Sequence, residues 1–193
     1  AFALLSVLAA RQHLRNGDID AAESAANRAI DLAHRLGGAE LAIFSRMVLA
    51  QLHARRGLFA EAAALFDEIM VSITVDEVSP IAVGVAYCAV IDGCYAQFDI
   101  GRAREWTTAF TRWCATHRTA LLFRGRCLVH HAETMRMTGD WSDAFSEAER
   151  ACEWSVAHSN PFMYPAGAAY YELGELHRLR GDWAEAEAAY RRA

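Results

Sequence analysis

The stretch from Tyr170 to Ala193, YYELGELHRLRGDWAEAEAAYRRA, limits what this chain can fold into more than any other. It spells a helix, a two-residue turn and a second helix. Gly181 has no Cβ, so it reaches positive φ without steric cost and can end the first helix. Asp182 stands where the N-cap of the next helix belongs. Glu185, three residues on, completes a capping-box-like pair. Ala186 is small enough to let the two helices approach closely.

The unit recurs. Taking Gly181 as origin, each copy needs a residue that breaks the helix, an apolar residue two positions later and alanine five positions later. Gly139 is followed by Asp140, Trp141 and Ala144, Gly57 by Phe59 and Ala62, and Gly17 by Asp18, Ile19 and Ala22. One copy is degenerate: Phe98 replaces glycine, but Asp99, Ile100 and Ala103 keep the register. The anchors at 17, 57, 98, 139 and 181 are 40, 41, 41 and 42 residues apart. Five antiparallel helix pairs are therefore expected, forming an all-α solenoid. They divide the chain at about 1–37, 38–76, 77–118, 119–160 and 161–193, within a single domain over 1–193.

The order Leu173-Gly174, Gly181-Asp182-Trp183, Ala186 and Tyr190 resembles the tetratricopeptide repeat (TPR). The period is longer than the roughly 34 residues usual for that repeat, so longer helices or loops are expected. Armadillo and HEAT units share the longer period and stay open as alternatives; the L-G…G-D-W…A-x3-Y order favours the TPR. Helices are expected over about Phe2–Asn16, Ile19–Leu36, Ala39–Arg56, Phe59–Ile73, Pro80–Gln97, Ile100–His117, from Thr119 to near Thr138, and Trp141–His158, with a final pair around Gly181. Ser79 reads as an N-cap before Pro80, and Thr119 as another. Ser159 to Pro165, with two prolines, reads as an irregular loop.

A narrower resemblance covers roughly Glu77 to Ala193. It rests on Glu77-Val78-Ser79-Pro80, Tyr87-Cys88, Phe98-Asp99, Glu105-Trp106-Thr107 and Arg112-Trp113-Cys114. Phe123-Arg124-Gly125, Val129-His130, Ala132-Glu133, Gly139-Asp140-Trp141, Gly167 to Tyr171 and Leu176 to Asp182 continue it. These segments look like the helical-repeat region of actinobacterial LuxR-type transcriptional regulators, which are broadly similar to MalT-like regulators. The resemblance implies a helix-turn-helix DNA-binding domain elsewhere in the parent protein, often with an ATPase domain before the repeats. No G-x4-G-K-[ST] loop is present in this chain. The chain opens on Ala1 and begins and ends within repeats, so a fragment of a longer protein is expected, and a missing signal peptide proves nothing about export.

Charge and cysteine usage narrow the partners. A net charge of −5 leaves no basic stripe for duplex DNA, so direct nucleic-acid contact by this segment is not expected. No apolar run reaches the roughly 18–20 residues of a membrane span. The five cysteines, at 88, 94, 114, 127 and 152, are odd in number and lie within helical pattern, favouring free thiols and a cytoplasmic setting.

In TPR arrays the first helix of each pair lines the concave face. Six residues before each turn stand Arg11, Gln51, Asp92, Glu133 and Glu175, and three before it Leu14, Ala54, Tyr95, Arg136 and Arg178. Ten before it stand Val7, Met47, Cys88, Val129 and Tyr171, and Arg126 lies thirteen before its turn. The groove candidates are thus Cys88, Asp92, Tyr95, Arg126, Glu133, Arg136, Tyr171, Glu175 and Arg178. Carboxylates flanked by Arg and Tyr suit a cationic or hydrogen-bonding small effector, a peptide or a protein partner. The plainer reading is that Glu133–Arg136 and Glu175–Arg178 are ordinary i,i+3 surface pairs.

His13, His53 and His177 share one column and read as core residues packed between helices. Cys114 and His117, with Cys127 and His131, have spacings that put each pair on one helix face, so zinc is conceivable there. Helical packing explains both cysteines without metal, and neither metal nor cofactor is expected. Cys–His proximity could also make a nucleophile, but no phosphate loop or nucleophile elbow accompanies it, so an enzyme is not expected. Trp141 and Trp183 read as wedges between hairpins. The expected role is a ligand- or protein-binding module whose receptor surface is the concave face of repeats 3 to 5. The alternative is a scaffold for self-association, with a homodimer as one form, or for positioning domains.

Overall fold

The computed structural model describes residues 2–75, 77–158 and 166–193. The cap expected of the Thr119 side chain and the loop from Ser159 to Pro165 lie outside the described residues. Among those residues there are ten α-helices, one short 3-10 helix and no strand. The helices are α1 (Phe2–Arg15), α2 (Ile19–Leu36), α3 (Ala39–Arg55), α4 (Phe59–Val75), α5 (Pro80–Ala96), α6 (Ile100–Thr116), α7 (Arg124–Thr138), α8 (Trp141–Ala157), α9 (Gly167–Arg180) and α10 (Trp183–Tyr190). They fall into two compact units, Ala1–Asp99 with α1 to α5 and Ile100–Ala193 with α6 to α10.

The five expected turns share one construction. Gly17, Gly57, Gly139 and Gly181 have φ of 79°, 76°, 94° and 84°, and Phe98, at 58°, is the one non-glycine with positive φ among the described residues. In every copy the turn residue donates its N–H to the carbonyl three residues back, and the next residue donates to the carbonyl five back. Gly181 reaches Arg178 at 3.1 Å and Asp182 reaches His177 at 3.0 Å; Phe98 reaches Tyr95 at 3.0 Å and Asp99 reaches Cys94 at 2.9 Å. These bonds satisfy carbonyls that a helix end otherwise leaves without partners.

The caps differ from expectation. The Asp18 carboxylate accepts from the Ala21 N–H at 3.2 Å, and Ser79 Oγ accepts from the Ala82 N–H at 3.3 Å behind Pro80. Asp182 sits at the N-cap of α10, but its side chain makes no cap hydrogen bond, so the capping box around Glu185 does not form; its carboxylate lies 3.6 Å from His177 Nδ1, the distance that also separates Asp18 from His13 Nδ1. Helix α7 also starts later than the pattern suggests. A 3-10 helix over Arg118–Phe123 comes first, and its tighter winding places Phe123 edge-on against Phe110 and Trp113 of α6.

Each unit has its own core. In the first, α2 buries Ala22, Ala25, Ala26, Ala29 and Ala33, a methyl stripe that lets α1 and α3 approach closely with Leu14, Val48 and Leu52. Phe66 of α4 fills the space over Gly93, where a Cβ would stand 2.3 Å from the ring. In the second, Leu128, Val129, Ala151, Ala169 and Tyr170 form one cluster, and Ala132, Ala144, Ala148 and Leu176 another. His177 packs edge-on against Phe145, with centroids 4.8 Å apart, whereas the His13 side chain is 41% exposed, too open for the core role its column suggested. Trp141 and Trp183 are not wedges: both are exposed, and the Trp141 indole N–H donates to the Arg136 carbonyl at 3.2 Å.

Candidate functional site

In the first unit the expected groove positions Gln51 and Asp92 are exposed. They line a cavity of about 400 Å³ with Ala54, Arg55, Phe59 and Phe66. Arg55 is tied to the fold, donating to the Leu14 carbonyl at 2.7 Å. Cys88 and Tyr95, also on α5, are half-buried.

The second unit carries most of the charge chemistry, on α7 and α9. Arg136 turns away from Glu133 and reaches across to α9. Its Nε and Nη2 donate to the two carboxylate oxygens of Glu172 at 2.8 and 3.3 Å. Both side chains are largely buried, 14% exposed for Arg136 and 5% for Glu172. Burial raises the Glu172 carboxyl above the ordinary carboxylate range, and the Arg136 guanidinium opposes that rise.

Glu175 is fully engaged. Arg178 donates to both of its oxygens, at 3.1 and 2.7 Å, and the Tyr190 hydroxyl donates at 2.5 Å. These bonds hold the Glu175 carboxyl below its usual range, Arg178 first. The i,i+3 surface reading therefore fits Glu175–Arg178 and not Glu133–Arg136. Tyr171 is exposed beside Tyr190, with ring centroids 6.0 Å apart.

Glu133 differs from its neighbours. Its side chain is 22% exposed, and His130 Nδ1 lies 3.7 Å from its carboxylate. No described residue donates a hydrogen bond to it. Burial raises its carboxyl above the ordinary range, and Arg126 and Arg136 partly offset this through charge alone. His130 is fully buried and its Nε2 accepts from Arg126 Nε at 3.1 Å.

Glu172 and His130 were not among the expected site residues. Both stand nine positions before their turns, where the other copies carry Leu8, Val48 and Ala89. Polar residues in an otherwise apolar column were the available signal.

The four zinc candidates do not converge. His117, just past the end of α6, stacks on Trp113 of that helix, with centroids 5.3 Å apart, and His131 Nδ1 lies 2.9 Å from Glu147 Oε1 on α8. Among the described residues no group of three or more His, Cys, Asp or Glu is arranged to hold a metal ion. Cys114 and Cys127 do meet: the Cys114 thiol hydrogen-bonds the Cys127 sulfur, and Thr111 Oγ1 lies 3.4 Å from it. None of the five cysteines forms a disulfide. No helix among the described residues is long and apolar enough to cross a membrane.

A family model for the tetratricopeptide repeat matches residues 7–70 and 139–193. No curated protein matches the chain. Among solved structures, BtubC (BKLC) from P. vanneervenii is similar over 95% of this chain and 74% of its own, with a TM-score of 0.72 at 19% identity. The nearly identical TPR-like repeats assigned to a kinesin light chain of Podosopora anserina are similar over 97% of this chain and 90% of theirs, with a TM-score of 0.67 at 16% identity. At such identities these likenesses speak to the fold, an all-α TPR-like solenoid, and no catalytic family is indicated.

Proposed function

Because the chain belongs to the tetratricopeptide repeat family, whose repeats generally mediate protein–protein interaction or scaffolding, we propose that it is a non-catalytic binding module of a LuxR-type transcriptional regulator. Its receptor surface is the face of α7 and α9 that carries Arg126, Glu133, Arg136, Tyr171, Glu175 and Arg178, with Asp92, Tyr95 and Cys88 of α5 serving the first unit. The regulator context rests on the sequence resemblance over Glu77 to Ala193. The observation that carries the receptor reading is Glu133, a half-buried carboxylate to which no described residue donates a hydrogen bond. Desolvating a carboxylate without a donor costs stability, so a bound partner that supplies an N–H recovers that cost. A protonated amine or a peptide N–H has this chemistry.

Thermal shift of the chain against a panel of amines, amino acids and short peptides tests the proposal. A stabilising ligand should lose its effect on Glu133→Gln and keep most of it on Glu175→Gln, whose carboxylate is already occupied. A ligand indifferent to Glu133→Gln removes this surface from consideration. The second reading, a scaffold without a ligand of its own, is favoured by the internal pairing of Arg136 with Glu172 and of Glu175 with Arg178 and Tyr190. It predicts no stabilising ligand and self-association visible by sedimentation. The open reading frame around the chain tests the regulator context, which requires a helix-turn-helix domain in the same protein.

A further inference from the structure

The contact between α6 and α7 has a chemistry that the receptor reading does not use. Two thiols meet there. Thr111 and Cys114 lie three residues apart on one face of α6, and both reach the sulfur of Cys127 on α7: the Thr111 hydroxyl at 3.4 Å and the Cys114 thiol by a hydrogen bond. His131, one turn beyond Cys127, is fixed by Glu147 at 2.9 Å, and Arg150 donates to the other Glu147 oxygen at 2.5 Å. Cys127 is buried and Cys114 is partly exposed. A small reagent therefore meets Cys114 first, and Cys127 stands directly behind it.

We propose that Cys114 and Cys127 form a reactive dithiol that exchanges with low-molecular-weight disulfides and closes to an internal disulfide joining α6 to α7. The environment favours the thiolate of Cys127, the cysteine that resolves the mixed disulfide. Hydrogen bonds from Cys114 and then Thr111, with the charge of His131, lower the Cys127 thiol to about 7, so a large fraction is thiolate near neutrality. Glu147 in turn raises His131, favouring its positively charged form. Cys152 is the contrast: burial pushes its thiol up to about 11 and leaves it inert.

The exchange balances without any other oxidant. The hydrogen-bonded pair holds one proton. That proton rests mainly on Cys114; its shift across the hydrogen bond to Cys127 frees the Cys114 thiolate, which attacks one sulfur of the incoming disulfide RSSR. The S–S bond of RSSR breaks, one RS⁻ leaves, and it takes the proton from Cys127. The Cys127 thiolate then attacks the Cys114 sulfur and expels the second RS⁻, which water protonates. Two protein thiols are oxidised to one disulfide, and RSSR is reduced to two RSH. Cys114 lies one turn along α6 from Thr111, which touches the Cys127 sulfur at 3.4 Å, so the two thiols face each other across the α6–α7 contact that a disulfide would bridge.

The test equilibrates the folded chain with glutathione disulfide, blocks remaining thiols by alkylation and maps the peptides by mass spectrometry. The expected result is one Cys114–Cys127 crosslink carrying no glutathione, with Cys152 alkylated. In Cys127→Ser the mixed disulfide should persist at Cys114, because nothing resolves it. In Cys114→Ser, Cys127 should stay alkylatable only after unfolding. The proposal is overturned if Cys114 and Cys127 both emerge as separate alkylated thiols while another cysteine carries glutathione. It is equally overturned if Cys114 keeps its adduct in the unsubstituted chain as it does in Cys127→Ser. The peptide map of the unsubstituted chain decides the question even if a variant fails to fold.

Discussion

Truncating Arg136 should damage the second unit far more than a surface arginine would. Its guanidinium makes two bonds to Glu172, at 2.8 and 3.3 Å, with the arginine 14% and the glutamate 5% exposed. At about 3 Å and an effective dielectric near 20, two unit charges attract by roughly 5 kcal/mol. That attraction offsets the desolvation of both groups, so the pair as a whole contributes little net. Removing one partner strands the other. Arg136→Ala leaves a buried carboxylate alone and should cost about 3 to 5 kcal/mol. For a chain of this size that lowers the melting temperature by roughly 6 to 20 °C. Arg136→Lys keeps the charge but loses the two-pronged geometry, so it should fall between. Arg136→Met with Glu172→Leu removes both charges and should return to within about 1 kcal/mol of the parent. Urea unfolding followed by circular dichroism measures all four proteins. If Arg136→Ala costs under 1 kcal/mol, or the double variant is as unstable as the single, the pair is not buried in the sense argued above.

Gly57→Ala should cost about 1 kcal/mol, since φ is 76° with nothing within 4 Å of the added Cβ, so the penalty is purely one of backbone; Gly38→Ala, at φ −91°, should be neutral by the same urea titration. The His131–Glu147 pair should stabilise most between about pH 4.5 and 6.5. His131 is raised in the fold, so its contribution is complete below its unfolded value and fades as pH climbs through the folded one; Glu147 is lowered, so its contribution is lost as pH falls. Denaturation of His131→Ala should therefore differ from the parent more at pH 5.5 than at pH 9. Glu133 is raised in the fold, so its ionisation opposes folding as pH rises above its unfolded value. Glu133→Gln should accordingly be as stable as the parent or more so at pH 7, measured by melting, while losing ligand response.

The hairpins were legible because the turn residue acts through its own backbone. Glycine at 17, 57, 139 and 181 needs no tertiary partner to take a left-handed conformation, and the alanine five residues later reports the close helix contact that follows. Even Phe98, the wrong residue type, was recoverable from the register of Asp99, Ile100 and Ala103. Which residues share one helix face was legible for the same reason, since that follows from helical spacing alone. Pairing was not. Whether Arg136 bonds Glu133 on its own helix or Glu172 on another depends on inter-helix distances that spacing does not encode. The preference for Glu172 follows from burial, which strengthens the longer-range pair. Asp182 makes no side-chain cap although it stands 3.6 Å from its histidine just as the capping Asp18 does, a difference that residue type and spacing do not encode.

The uniform wiring of the five turns makes the chain modular at its seams. Each seam is stitched by the same pair of main-chain bonds and asks for a left-handed backbone at a single place. Cutting at any two seams and rejoining would excise or duplicate a whole number of helix pairs and present each new junction with a partner of matching geometry. Growth or shortening by unequal recombination would thus preserve every turn, and only the side-chain faces on either side of the new joint would need to be fitted afresh.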